Sequence, residues 1–218
     1  LMGKDPEEFP AAPDTNDGVE IGMGSTLLNK IISTVSFAVS KDDLKPALTG
    51  VFFKIDSDLI TAVSTDGHRL AQYLCKNETK ANFTGEVVIP KKFLNTIGSY
   101  TAGKEEIYLL INDNVFTAKM GTDTVYTRII DEKFPDYESV IPKDNDKEIK
   151  VDRKALLAAV KRVSIFSNKT TQQVAMKTEK SKLLIATEDP EKASKAQEEL
   201  EVLYEGEPIE IGFNASYL

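Results

Sequence analysis

Scarcity is the first signal in this chain. A single cysteine, Cys75, rules out an intrachain disulfide framework and fits a reducing cytosol. Its expected role is that of a small, half-buried strand residue. A single histidine, His68, with Cys75 near the far end of the strand expected after it, argues against a metal site. No apolar run approaches the roughly 20 residues that span a bilayer. The longest, such as "IEIGF" and "KLLIA", are strand-sized. The opening "LMGKDPEEFP" lacks the basic-then-apolar design of a secretory signal. What is present, 41% hydrophobic and 28% charged residues in a chain of 218, is the composition of a soluble globular protein. That length suits one large domain or two ordinary ones.

Residues 1–19 are rich in Pro, Asp and Glu and read as an extended linker. From Ser25 the pattern changes. Ser25 or Thr26 can cap a helix, and Leu27, Leu28, Ile31, Ile32, Val35 and Val39 recur at helical spacing. Two strands follow, "LTGVFFKI" and "LITAVST", then the turn "DGHR" and a third strand, "LAQYLCK". Asp-Gly between apolar runs is a strong turn signal, because Gly tolerates positive φ. The order then repeats. "GEVVIP" is a strand, "KKFLNTIGSYTA" a short helix ending near Gly103, and "EEIYLLI", "NVFTAKM" and "TVYTRII" a second meander. Residues 20–130 thus hold two copies of strand–helix–strand–strand–strand.

A longer repeat overlies this one. "EEFPAAP" with Phe9 is echoed by "EKFPDYESVIP" with Phe134, "VSFAVS" from Val35 by "VSIFSN" from Val163, and "VFFKIDSDLITAVSTD" from Val51 by "VAMKTEKSKLLIATED" from Val174. Three echoes in one order point to a duplicated domain. The second copy predicts a strand at "KEIKV", a helix from Asp152 or Arg153, strands at "VAMKT" and "KLLIAT", a charged stretch into "EELEVLYEG", and "PIEIGFN". The pattern is that expected of a fragment of a longer protein, which opens inside a connector and stops halfway through a domain. The missing part would be another helix and three strands.

The net charge of −8 taken alone argues against a nucleic-acid partner, which needs a concentrated basic surface. The distribution argues the other way. The three expected helices, 26–39, 91–102 and 153–169, carry Lys30; Lys91 and Lys92; and Arg153, Lys154, Lys161, Arg162 and Lys169, with no acid among them. A solvent-facing helix normally mixes signs, since opposite charges one turn apart stabilise it. Basic helices on an acidic body suggest one surface for phosphates and another that repels them. No aromatic platform or base-reading motif accompanies them, so DNA contacts would be to the backbone and independent of sequence. Weak attraction alone would not hold an acidic protein on DNA at physiological salt, and a topological device would be needed.

The stretches "LTGVFFKI", "STDGHRLA", "VVIPKKFL", "FPDYESVIP", "RVSIFSN" and "EPIEIGFNASYL" run in one order through nearly all of the chain. In these the chain resembles the bacterial sliding clamps, the β subunits of DNA polymerase III. The resemblance implies an α+β DNA clamp fold: repeated domains, each with two packed antiparallel β-sheets and two helices lining a central channel. Two chains would close head to tail into a homodimeric ring around duplex DNA. On this reading residues 1–19 connect from a missing first domain, 20–130 are the middle domain, 131–147 a connector, and 148–218 the first half of the third domain. The implied function is DNA replication in the bacterial cytoplasm, at the nucleoid. The clamp acts there as a processivity factor, a non-catalytic accessory subunit of a DNA-directed DNA polymerase that needs no cofactor.

The resemblance also implies sites. The turn bearing "TDGHRL" would line a groove between the middle and third domains, where short peptide motifs of the polymerase III α subunit, the clamp loader and repair proteins dock. The matching positions are Leu48, Thr65, Gly67, His68, Arg69, Leu70, Pro135, Val140, Asn214 and Tyr217. Leu48, Leu70, Pro135 and Val140 would form an apolar pocket, with His68, Arg69 and the backbone near Gly67 as polar anchors. Leu and Phe anchors on the partner would carry most of the energy. Two positions depart from relatives: Ser139 stands where some members carry a basic residue, and Thr171 where others carry an aromatic. Lys91 and Lys92 match basic positions on a channel helix, and Lys45 a channel-facing loop. Lys30, Lys154, Lys161 and Arg162 join the DNA-facing set from helix placement. Ile165 and Phe166 match apolar positions on the face that meets the other subunit.

Two rival readings compete. Ser64, Asp66 and His68 invite a hydrolase, but a triad needs its members to converge at about 3 Å. The Asp-Gly turn breaks that geometry, and no second His, G-x-S-x-G or glycine-rich phosphate loop is present. The other rival is a β-rich protein-interaction module with no topological role on DNA. It predicts that reversing the charges of Lys91 and Lys92 changes nothing.

Overall fold

The computed structural model of the chain describes residues 3, 5, 7, 11, 13, 18–79, 83–101, 106–112 and 114–218. Phe9 and Gly103, which the sequence reading uses, lie outside them. The chain divides into two compact units, Leu1–Tyr137 and Glu138–Leu218.

In the first unit the order is β1 (Val19–Gly24), α1 (Ser25–Val35), β2 (Gly50–Ile55), β3 (Leu59–Thr65), β4 (Leu70–Lys76), β5 (Gly85–Pro90), α2 (Lys91–Tyr100), β6 (Glu106–Ile111), β7 (Val115–Met120) and β8 (Asp123–Arg128). Strand–helix–three strands occurs twice, as the pattern predicts. The pairing is less expected. The two antiparallel sheets run β1-β6-β7-β8 and β4-β3-β2-β5. The leading strand of each copy therefore joins the other copy's meander. β1 pairs with β6 from Val19 opposite Ile111 to Gly24 opposite Glu106, and β5 pairs with β2 from Pro90 opposite Gly50 to Gly85 opposite Ile55.

One core serves both sheets and both helices. α1 buries Leu28, Ile31, Ile32 and Val35, and α2 buries Phe93, Leu94 and Ile97. α1 is rich in β-branched residues, each of which weakens a helix by a few tenths of a kcal/mol. Burying one such apolar side chain returns about 1.5–3 kcal/mol, so packing decides the conformation. Between the helices, Asn29 Nδ2 donates to Thr101 Oγ1 at 2.6 Å, and Thr101 Oγ1 donates to the Gly98 carbonyl at 2.7 Å.

Gly50 opens β2, opposite Pro90 of β5. A Cβ there would lie 2.7 Å from the Ile89 carbonyl oxygen and 2.8 Å from side-chain carbons of Ile130 and Val88. Backbone cannot yield as a side-chain tip can. Gly50→Ala is expected to cost about 1–3 kcal/mol through overpacking, read as a lower urea midpoint with an unchanged slope. An unchanged midpoint would mean that β5 is free to shift.

The connector after β8 belongs to the first unit. Phe134 stacks on Phe52 with ring centroids 5.0 Å apart, and Tyr137 packs at 5.9 Å from Phe52. The unit therefore extends to Tyr137 rather than stopping at Ile130. The resemblance implies a connector here, and its aromatics Phe134 and Tyr137 are buried.

The second unit holds α3 (Arg153–Ser164), β9 (Gln173–Glu179), β10 (Lys182–Asp189), β11 (Ser194–Glu201) and β12 (Ile209–Asn214) in one sheet of order β11-β10-β9-β12. β12 lies against β9 as β5 lies against β2. Ala159, Val160 and Val163 of α3 pack on Val174, Leu183, Ile185, Val202 and Tyr204.

Local chemistry corrects several expectations. Gly24 is the N-cap of α1, and Ser25 is already helical; β1 runs paired to its last residue, which leaves no free position for a capping side chain. Asp152 does cap α3, accepting from Ala155 N at 2.8 Å. α1 passes into a 3-10 turn at Ser36–Ala38, α2 ends at Tyr100, and α3 ends at Ser164, so Lys169 lies past the helix. The expected strand at "KEIKV" is a single bridge, Lys150 to Leu203. Its counterpart β1 pairs with a strand of the second meander, and no such strand lies among the described residues of the second unit. No helix among the described residues is long and apolar enough to cross a membrane.

Candidate DNA-facing helices and partner-docking surface

The β3–β4 turn is built around one carboxylate. Gly67 at φ +88° allows the reversal. Asp66 Oδ1 accepts from the backbone N–H groups of His68 and Arg69, each at 3.0 Å. Oδ2 accepts from Arg69 Nε at 3.1 Å. Thr65 Oγ1 closes the turn from the other side, accepting from Gly67 N at 3.1 Å and donating to the Arg69 carbonyl at 2.8 Å. Burial pushes the Asp66 carboxyl up, but the Arg69 and His68 N–H donors and the Arg69 side chain outweigh it and hold the group below its ordinary 3.8. Arg69 Nη2 donates to the Phe37 carbonyl at 2.9 Å, and its guanidinium carbon stands 5.4 Å from the centre of the Phe37 ring. That ring is 55% exposed.

The turn does not assemble a triad. Ser64 is buried and its hydroxyl donates to the Val35 carbonyl. Asp66 faces Arg69 and backbone, while His68 is exposed.

The first unit holds seven of the ten groove positions suggested by resemblance. Leu48 is buried, Thr65, Arg69 and Leu70 are half-buried, and Gly67, His68 and Pro135 are exposed. Val140, Asn214 and Tyr217 belong to the second unit. There Val140 and Tyr217 are exposed, and Asn214 Oδ1 accepts from Ser216 N at 2.9 Å.

The helices keep their charge segregation. Lys30 lies on α1, Lys91 and Lys92 on α2, and Arg153, Lys154, Lys161 and Arg162 on α3, without one acidic residue. Lys45 is exposed in the loop before β2. Partial burial, followed by the charges of Lys41 and Arg69, lowers the Lys91 pKa. Arg162 differs from the rest: its Nε donates to Glu198 Oε2 at 3.0 Å and its Nη2 to the other oxygen. Its charge is shared with β11, which reduces what it can offer a phosphate. Ile165 and Phe166, at the end of α3, are exposed rather than packed in the core.

Residue patterns miss Phe37, and they mark Asp66 as a turn residue but not as the partner of Arg69. The i to i+3 spacing of Asp66 and Arg69 is a usable signal for the ion pair. Nothing local marks Phe37, which lies 32 residues from Arg69.

A duplicated strand–helix–three-strand domain, with two antiparallel sheets backed by two helices free of acid, is a DNA-clamp fold. Residues 23–136 match the model of the DNA polymerase III beta subunit's central domain, and residues 138–218 that of its C-terminal domain. The chain belongs to this family. It is 32% identical over 212 residues to the beta sliding clamp of Pseudomonas putida, covering 97% of this chain and 58% of that protein. It is 29% identical over 213 residues to the clamp of Escherichia coli, covering 97% and 57%. A crystal structure of the Pseudomonas aeruginosa sliding clamp bound to griselimycin superposes with a TM-score of 0.90 at 29% identity, over 97% of this chain and 57% of that one. The chain thus spans just over half the length of the relatives it matches.

Proposed function

We propose that this chain works as part of a DNA sliding clamp, a homodimeric ring that encircles duplex DNA and tethers the replicative polymerase for processive synthesis. The observation that carries this reading is the placement of basic residues, without acids, on the three α-helices among the described residues of a chain with net charge −8. Lys30, Lys45, Lys91, Lys92, Lys154 and Lys161 face phosphates without reading sequence; Arg162 contributes less. Topology, not affinity, provides retention. Ile165 and Phe166 supply an apolar contact to the second subunit. Short peptides of the polymerase III α subunit, the clamp loader and repair proteins dock on the surface around Leu48, Arg69 and Leu70. Val140, Asn214 and Tyr217 enter this proposal through the family resemblance alone. The protein is an accessory subunit, active in the cytoplasm at the nucleoid. In our reading the middle domain, residues 20–130, and the part of the third in 148–218 are joined through 131–147, whose first residues pack on the former.

The test uses the full-length protein loaded on nicked circular DNA by its loader. Cutting the circle at one site is expected to release nearly all of it. Equal retention on circular and linear DNA would refute the ring and favour a module that binds without topology.

A further inference from the structure

We propose that Asp66 is the positioning residue of the docking surface: it fixes Arg69 against Phe37 and so presents the guanidinium and the ring as one preformed patch to a partner peptide. The inference rests on the peptide-docking reading given above.

Three contacts fix the guanidinium. Nε is bound by Asp66 Oδ2 at 3.1 Å, Nη2 by the Phe37 carbonyl at 2.9 Å, and the plane's central carbon is 5.4 Å from the Phe37 ring centre. An arginine side chain otherwise samples many rotamers, and ordering it on binding lowers affinity. Here the order exists before the partner arrives. The carboxylate does this while its other oxygen closes the turn, so one residue couples the β3–β4 turn to the end of α1.

The second unit separates turn closure from positioning. Asp189 stands at the corresponding end of β10 and accepts from Glu191 N at 3.2 Å, with Lys192 Nζ at 3.5 Å. The carbonyl at the end of α3, that of Phe166, is met by Ser194 Oγ at 3.1 Å. An aspartate that closes the turn is thus common to both units. Among the described residues, the arginine laid over an exposed aromatic is found in the first only. Thr65 Oγ1 holds the first-unit turn independently, so loss of the Asp66 charge leaves a closing bond in place.

The experiment measures binding of a fluorescein-labelled peptide, taken from the clamp-docking segment of the same organism's polymerase III α subunit, to the full-length protein. Asp66→Asn is expected to weaken binding on the order of tenfold. Arg69→Ala should weaken it at least as much, and the double variant no further than Arg69→Ala alone. Wild-type binding with an unaltered Asp66→Asn variant would overturn the positioning role and leave the docking surface standing. A full Asp66→Asn effect persisting in the Arg69→Ala background would also overturn it, since Asp66 would then act through the fold. No binding by wild type would remove the docking reading itself. Should Asp66→Asn fail to fold, the Arg69 Nε–H of the wild type provides the reading by NMR. It should exchange slowly at neutral pH and keep its protection into acid, losing it only where the carboxylate, held lower than an ordinary aspartate, protonates. Rapid exchange at neutral pH would refute the proposal.

Discussion

Exchanging Lys91 and Lys92 for glutamate is expected to weaken attraction to short duplex DNA by roughly 50-fold at about 0.1 M salt, on the basis of two lost phosphate contacts. The salt dependence should flatten by about two units of slope. Loading on circular DNA should fall with it. The fold should survive, for a physical reason. Partial burial disfavours a charge of either sign at position 91, but the nearby charges of Lys41 and Arg69 disfavour a cation in particular. An anion there meets attraction from the same neighbours. An unchanged salt slope in a folded variant would mean that α2 does not face DNA.

The second large effect concerns the connector. Phe134→Ala removes a buried ring stacked on Phe52 and is expected to cost about 3–5 kcal/mol. The loss should appear as a lower urea midpoint and as new protease cleavage within residues 131–147. Tyr137 loses a neighbour in the same change, at 6.4 Å between ring centres. A variant with normal stability and no new cleavage would show that the aromatic cluster follows the fold rather than holding it.

Much of this architecture is legible in the residues. Alternating strands, Asp-Gly at the β3–β4 turn and Asp152 ahead of α3 are local signals, and local patterns report them. The double repeat is legible because each copy keeps its turns and buried positions. What escapes is non-local. No window of sequence says that β1 belongs beside β6, or that "KEIKV" has only Leu203 to meet. The helical spacing runs on to Val39 and extends the expected helix past the true end of α1, where the backbone turns into a 3-10 form after Val35. Of the site, Arg69 and its turn could be found by resemblance, but Phe37 beneath it and Glu198 opposite Arg162 required coordinates.

The exchange of leading strands has a consequence for how the chain is made. Synthesis proceeds from the N-terminus, and of the strands described in this unit β1 emerges before the others. Its ladder partners are Glu106–Ile111, so it must wait for that segment to leave the ribosome. The first meander, too, lacks its fourth strand until Gly85–Pro90 arrives. Pairings of such separation form slowly. A nascent chain halted before residue 106 would display β1 with its hydrogen-bonding groups unmatched, which makes this interval the natural point of attention for a chaperone.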